Sequence, residues 1–260
     1  MAAVAPAPFV SILAPTTLSL PDAVWRGDQL GSHRSTPVAT GHSDLDKELP
    51  GGGWPPSVLI ELLLAQHGIG ELRLLAPTLG PLTQNGKTVI LLAPPHIPFA
   101  PALKQLGIDL KHVVLVNVDK PADRVWAVEQ ALKSTSFGAV LCWLPLVKTE
   151  HLRRLQLAAA GGEGLVFAFR PLSARDQSSP SPLRLTCQAA ADGKISVEVF
   201  KRRGPAHAEP IVLPLPVPLN LIKPFAARAA AVPTFNFSSH AVDRHSLAAT
   251  AARRRTALTI

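Results

Sequence analysis

Eight residues of this chain have the spacing of a phosphate-binding loop but lack the groups that perform its chemistry. Ala65-Gln66-His67-Gly68-Ile69-Gly70-Glu71-Leu72 follows an apolar run, Val58 to Leu64, and leads into an apolar-periodic stretch, Arg73 to Leu82. A working loop reads G-x-x-x-x-G-K-[ST]: backbone N–H groups cradle the phosphates, the lysine reaches the β- and γ-phosphates, and the hydroxyl binds Mg²⁺. Here Ala65 and Gly70 stand at the two glycine positions, Glu71 at the lysine position and Leu72 at the hydroxyl position. Two unit charges about 4 Å apart near a protein surface interact by roughly 4 kcal/mol, so reversing one sign moves the local term by up to about 8 kcal/mol. Read on its own, Glu71 is also good local chemistry, because an acidic residue in a helix's first turn complements the macrodipole. On either reading nucleotide hydrolysis is not expected, and neither is a cofactor.

The other residues able to do chemistry each carry a plainer explanation. Lys201-Arg202-Arg203 could meet DNA phosphates or an acidic partner surface, or could be the solvated end of a hairpin. Arg253, Arg254 and Arg255 sit in a basic C-terminal stretch, from Pro216 to Ile260, that carries +5 of the total net charge of +8. Such a stretch suits an acidic partner, nucleic acid or protein, and equally suits simple solubility. His67 and His96 have no acidic companion, which favours packing or capping over catalysis. Arg153 and Arg154 form the charged outer face of a helix whose other face carries Leu152, Leu155 and Leu157. Cys142 and Cys187 lie in apolar strand-like runs and read as buried free thiols, ahead of a disulfide or a metal site, as expected for a reducing cytoplasm.

The elements that must position these residues are legible. Strand signals fall at 58–64, 87–92, 113–118, 138–143 and 164–169, with helical signals at 71–84, 98–106, 121–134 and 148–159. That alternation predicts an α/β fold with a mostly parallel sheet flanked by helices. Asp192-Gly193 between Leu183–Ala189 and Ile195–Lys201 predicts an antiparallel hairpin, and a last short strand follows at Ile211–Leu213. Ser43 is the expected N-cap of a short helix at Asp44 to Leu49, ended by Pro50-Gly51-Gly52-Gly53. The chain of 260 residues, 47% hydrophobic, has no apolar stretch of membrane-spanning length. The N-terminus has no basic segment of the secretory type. The expected organisation is a disordered 1–20, a folded 21–214 whose N-terminal segment docks through Trp25, and a disordered basic 215–260.

Several motifs taken together carry a family resemblance. They are Val24-Trp-Arg-Gly27, Leu49-Pro-Gly-Gly-Gly-Trp-Pro55, Gly68-Ile-Gly-Glu-Leu-Arg-Leu74, Ala93 to Ala102, Arg153 to Ala159 and Lys201-Arg-Arg-Gly204. Over residues 40–214 the sequence resembles RecA-type cores with a degenerate P-loop. More closely it resembles the ImuA family of RecA-like and SulA-like proteins of damage-induced mutagenesis. RecA-like ATPases carry a catalytic Glu after the second strand and an acidic residue at the end of the fourth. This chain has Pro94-Pro95-His96 and Cys142-Trp143 there, so the resemblance implies a pseudo-ATPase rather than an enzyme. It further implies a cytoplasmic accessory of SOS-induced translesion synthesis. The implied partners are an ImuB-like Y-family polymerase homologue, an error-prone replicative-type polymerase and RecA, with DNA contact open. The alternative is a SulA-like SOS inhibitor of cell division that binds the tubulin-like division protein. A divergent ATPase ranks behind both.

Overall fold

The computed structural model describes residues 36–118, 120–134, 137–204 and 209–217. The expected disordered 1–20, the Trp25 segment and Arg253, Arg254 and Arg255 lie outside these residues.

Eight strands form one sheet. They are β1 (Leu59–Leu64), β2 (Thr88–Leu92), β3 (Val113–Val116), β4 (Phe137–Trp143), β5 (Leu165–Pro171), β6 (Leu183–Ala189), β7 (Ile195–Lys201) and β8 (Ile211–Leu213). Their order is β3-β2-β4-β5-β1-β6-β7-β8. The pairs from β3 across to β6 are parallel, and β6–β7 and β7–β8 are antiparallel. The mixed α/β architecture and the closing hairpin are those expected. Asp192 and Gly193 both take positive φ, 58° and 68°, which matches the twist of the flanking strands.

Among the described residues, α1 (Ser43–Glu48) precedes β1, and four helices connect strands: α2 (Glu71–Gln84), α3 (Ala100–Gln105), α4 (Pro121–Lys133) and α5 (Thr149–Ala159). β1, β4 and most of β5 are buried on both faces, so their side chains alternate between two apolar layers. Ile60, Leu62, Val89, Leu141 and Phe167 meet α2 through Leu74, Leu75 and Leu79. Leu59, Val140, Cys142 and Val166 meet α4 and α5 through Val128, Leu132, Leu152 and Leu155. Trp54, fully buried, stands edge-on to Phe167 at 5.2 Å and donates from its indole N–H to Thr78 Oγ1. This ties the glycine-rich turn after α1 to both sheet and α2.

Two local expectations need correction. Ser43 is the first helical residue rather than the cap; His42 holds the cap position without a side-chain bond. Instead the Thr40 N–H donates to Asp46 Oδ1, fixing the entry to the helix. Leu157 is 70% exposed, and Ala159 takes the inward position beside Leu152 and Leu155. A 3.6-residue period places Leu157 nearly opposite Leu155, so its apolar side chain does not decide its direction.

Candidate functional site

The carboxyl ends of parallel strands are where α/β sheets bind ligands, and the glycine loop leaves β1 there. Gly68 and Gly70 adopt φ of 80° and 111°, backbone that only glycine takes without strain. The turn aims two N–H groups inward, and the Glu71 carboxylate occupies them: Gly68 N–H donates to Oε1 at 3.0 Å and Gly70 N–H to Oε2 at 3.2 Å. Glu71 is only 6% exposed. The chain's own carboxylate therefore sits where the loop's donors would meet an external anion. A second element closes the site. Leu215 lies against Gly70, where an added Cβ would come within 2.4 Å of its Cδ1. Arg73 on α2 holds that segment, donating from Nε to Pro216 O at 2.8 Å and from Nη2 to Leu215 O at 3.2 Å.

The positions beside the loop hold no acid. Pro95 and His96 are exposed in the turn after β2, and Ala93 before them takes a φ of 50°. Cys142 is buried at the end of β4, and burial pushes its thiol up to about 12. Trp143 stacks on Phe169 at 4.6 Å. Cys187, next to the loop in β6, is likewise raised to about 12, by burial first and then by the Glu71 charge. Both cysteines are free, as expected, and neither carries reactive thiolate near neutral pH. Among the described residues no cluster of three or more His, Cys, Asp or Glu side chains is placed to hold a metal ion.

The basic residues singled out in the sequence are spread through the fold. Lys201 ends β7 half-buried and donates to Ser179 O at 2.7 Å. Arg202 reaches Glu48 of α1, with Nη1 3.2 Å from Oε2. Arg203 follows, exposed. Arg154 pairs with Glu129 of α4, and Arg153 faces outward. The triplet is thus partly committed to holding α1 and the 172–182 segment.

Sequence reasoning missed a buried ionic seam. Glu61, fully buried in β1, meets Arg170 Nη1 at 2.9 Å and Arg184 Nε at 3.3 Å, and accepts from the Ser179 hydroxyl. Burial alone would raise its pKa; the Ser179 bond, Arg170 and the Arg184 charge outweigh it and hold the carboxyl below its usual range. Arg184 also donates to the carbonyls of Ala174 and Arg175, and Arg175 pairs with Glu198 at 2.5 and 2.6 Å. These groups lie on the sheet face over β1 and β6, covered by the irregular 172–182 segment rather than by a helix. The available signal was a single Glu inside an apolar strand, with an Arg near the end of one later strand and another near the start of the next.

At the same carboxyl edge, the loops after the adjacent strands β2 and β4 expose large apolar side chains. Ile97 and Leu146 are each 82% exposed and Phe99 67%. Exposed apolar side chains placed singly are ordinary on a protein surface.

Residues 59–166, from β1 into β5, match the family model described as cell division inhibitor SulA. Over 106 residues the chain is 36% identical to the cell division inhibitor SulA of Pectobacterium atrosepticum, covering 40% of this chain and 63% of that protein. It is 34% identical over 101 residues to the SulA proteins of Yersinia pestis and Yersinia pseudotuberculosis, covering 39% of this chain and 60% of each. The chain spans about three fifths of the length of these curated relatives. It is SulA-like across that region.

Proposed function

We propose that this protein is a SulA-like inhibitor of cell division, acting in the SOS response by binding the tubulin-like division protein and performing no catalysis. The observation that carries this is the match of residues 59–166 to proteins named cell division inhibitors. The site geometry supports a non-catalytic role. On this reading the scaffold is a RecA-like core with a degenerate P-loop, in which Glu71 fills the anion position and Leu215 packs across it. Ile97, Phe99 and Leu146 are exposed apolar side chains at the carboxyl edge of the sheet. Adding the purified full chain to polymerising division protein tests the proposal. Assembly, followed by light scattering and sedimentation, is expected to fall in proportion to added protein without ATP. Unchanged assembly at excess protein would refute it.

The ImuA-like reading, an accessory of translesion synthesis, draws on a different observation. The match stops at residue 166, while β6, β7, β8 and the basic residues from Pro216 onward lie beyond it, together with Lys201-Arg202-Arg203. Co-purification with an ImuB-like polymerase homologue, an error-prone replicative-type polymerase and RecA as baits, against the division protein, separates the two.

A further inference from the structure

We propose that the cleft between the β4–α5 loop and the segment after β5 is the docking site for a partner-protein segment that presents a carboxylate beside a large apolar side chain. The proposal deepens the reading of this chain as a binding protein and rests on it.

The cleft is about 420 Å³, within the range of binding pockets. Val125, Leu146 and Val147 form apolar walls, and Lys148, His151 and Arg170 also line it. The floor is held rigidly. Arg170 donates from Nη1 to Glu61 at 2.9 Å and from Nη2 to Gln177 at 2.7 Å, and Thr149 Oγ1 bridges to Ser178 O at 3.1 Å. Arg170, 2% exposed, keeps a buried Nε–H with no acceptor among the described residues, a costly arrangement at the cleft floor. At the rim Lys148 is exposed, and no carboxylate among the described residues pairs with it. His151 Nε2 lies 3.9 Å from Glu150, itself mostly exposed. The lining therefore offers donors and positive charge but few acceptors. Leu146, 82% exposed, adds an uncovered apolar side chain at the rim.

Charge and placement select the occupant. Residues 218–260 carry six Lys and Arg against Asp243 alone, so they are repelled by this rim. An acidic and apolar segment of another protein fits the lining better than the basic residues 218–260 of this chain.

Displayed random peptides selected on the full-length protein test the assignment, with Leu146→Asp and Lys148→Glu variants for comparison. Val212→Asp, on the far edge strand, serves as a surface control. Circular dichroism and thermal unfolding show whether each variant folds; a misfolded variant is replaced by Leu146→Ser or Lys148→Ala. Enriched peptides are expected to carry Asp or Glu close to Leu, Ile or Phe. Each cleft variant should weaken their binding by about tenfold or more, with Val212→Asp unchanged. Peptides without acidic residues, or binding unaffected by the cleft variants, would overturn the proposal. So would enrichment of sequences matching the chain's own Pro21 to Leu30. The same variants are then added to polymerising division protein. Wild-type inhibition lost in the cleft variants supports both proposals, and inhibition retained in them overturns the cleft alone. No wild-type inhibition overturns the division reading, and selection of acidic peptides would still support the cleft.

Discussion

Glu71 supplies the carboxylate that accepts from the N–H groups of its own loop. Removing it leaves Gly68 and Gly70 N–H groups without their acceptor. Glu71→Ala is therefore expected to lower stability by about 1–3 kcal/mol, read from urea unfolding. On the pseudo-ATPase reading, Glu71→Lys is expected to show no ATP turnover in a phosphate-release assay, because Leu72, Pro94, Pro95, His96 and Cys142 supply neither a hydroxyl nor a carboxylate to hold a metal ion. Turnover in that single variant would mean the neighbouring positions retain function. Glu61 makes a different demand. Its pKa is lowered on folding from a reference of 4.5, so its contribution is present above pH 4.5 and is lost as pH falls through the folded value. Glu61→Gln leaves Arg170 and Arg184 buried beside a neutral group and should cost about 3 kcal/mol at pH 7. Unfolding curves at a series of pH values should show the gap between wild type and variant narrowing below 4.5.

At the scale of elements, positions set by local backbone chemistry were the legible ones. The Asp-Gly hairpin, the strand at 211–213 and the span of α2 all follow from turn residues and periodicity in the sequence. Leu157 and Ser43 were misread because an exposed leucine and a helix-entry serine each have two acceptable local environments, and packing chose between them. The α2 helix shows the same dependence on neighbours. It holds Pro77 and Pro81 in its interior, each without an N–H to donate, on a face that receives the incoming 36–42 segment. Gly41, at φ 79°, lies so close to Pro77 that an added Cβ would come within 2.2 Å of the proline Cβ. Gly41→Ala is expected to cost about 2–4 kcal/mol from left-handed strain and overpacking together. Thermal unfolding of that variant checks it, and a melting temperature equal to wild type would contradict the packing described.

For the molecule as a whole, the sheet order brings together groups far apart in the chain. β1 lies between β5 and β6, which places Glu61 against Arg170 and Arg184 and sets the 172–182 segment over them. The chain after β8 returns to the glycine loop at the carboxyl edge, so the anion position is filled from within and covered from outside. Isothermal titration of the full chain with ATP and Mg²⁺ should accordingly give no binding heat. Micromolar binding would mean that Glu71 and the Leu215 segment yield to nucleotide.

By itself the sequence determined the α/β alternation, the closing hairpin, the buried thiols and a glycine loop that leads into α2 through Glu71 and Leu72. Each of these depends on residue type and short-range spacing. Only the tertiary structure decided that Glu71 turns inward onto the loop's own N–H groups and that Leu215 packs across it. It also decided that a lone strand glutamate is neutralised by two distant arginines, and that Lys201 and Arg202 brace the fold. Those outcomes depend on which strands become neighbours, and pairing across more than a hundred residues leaves no periodic trace in the chain.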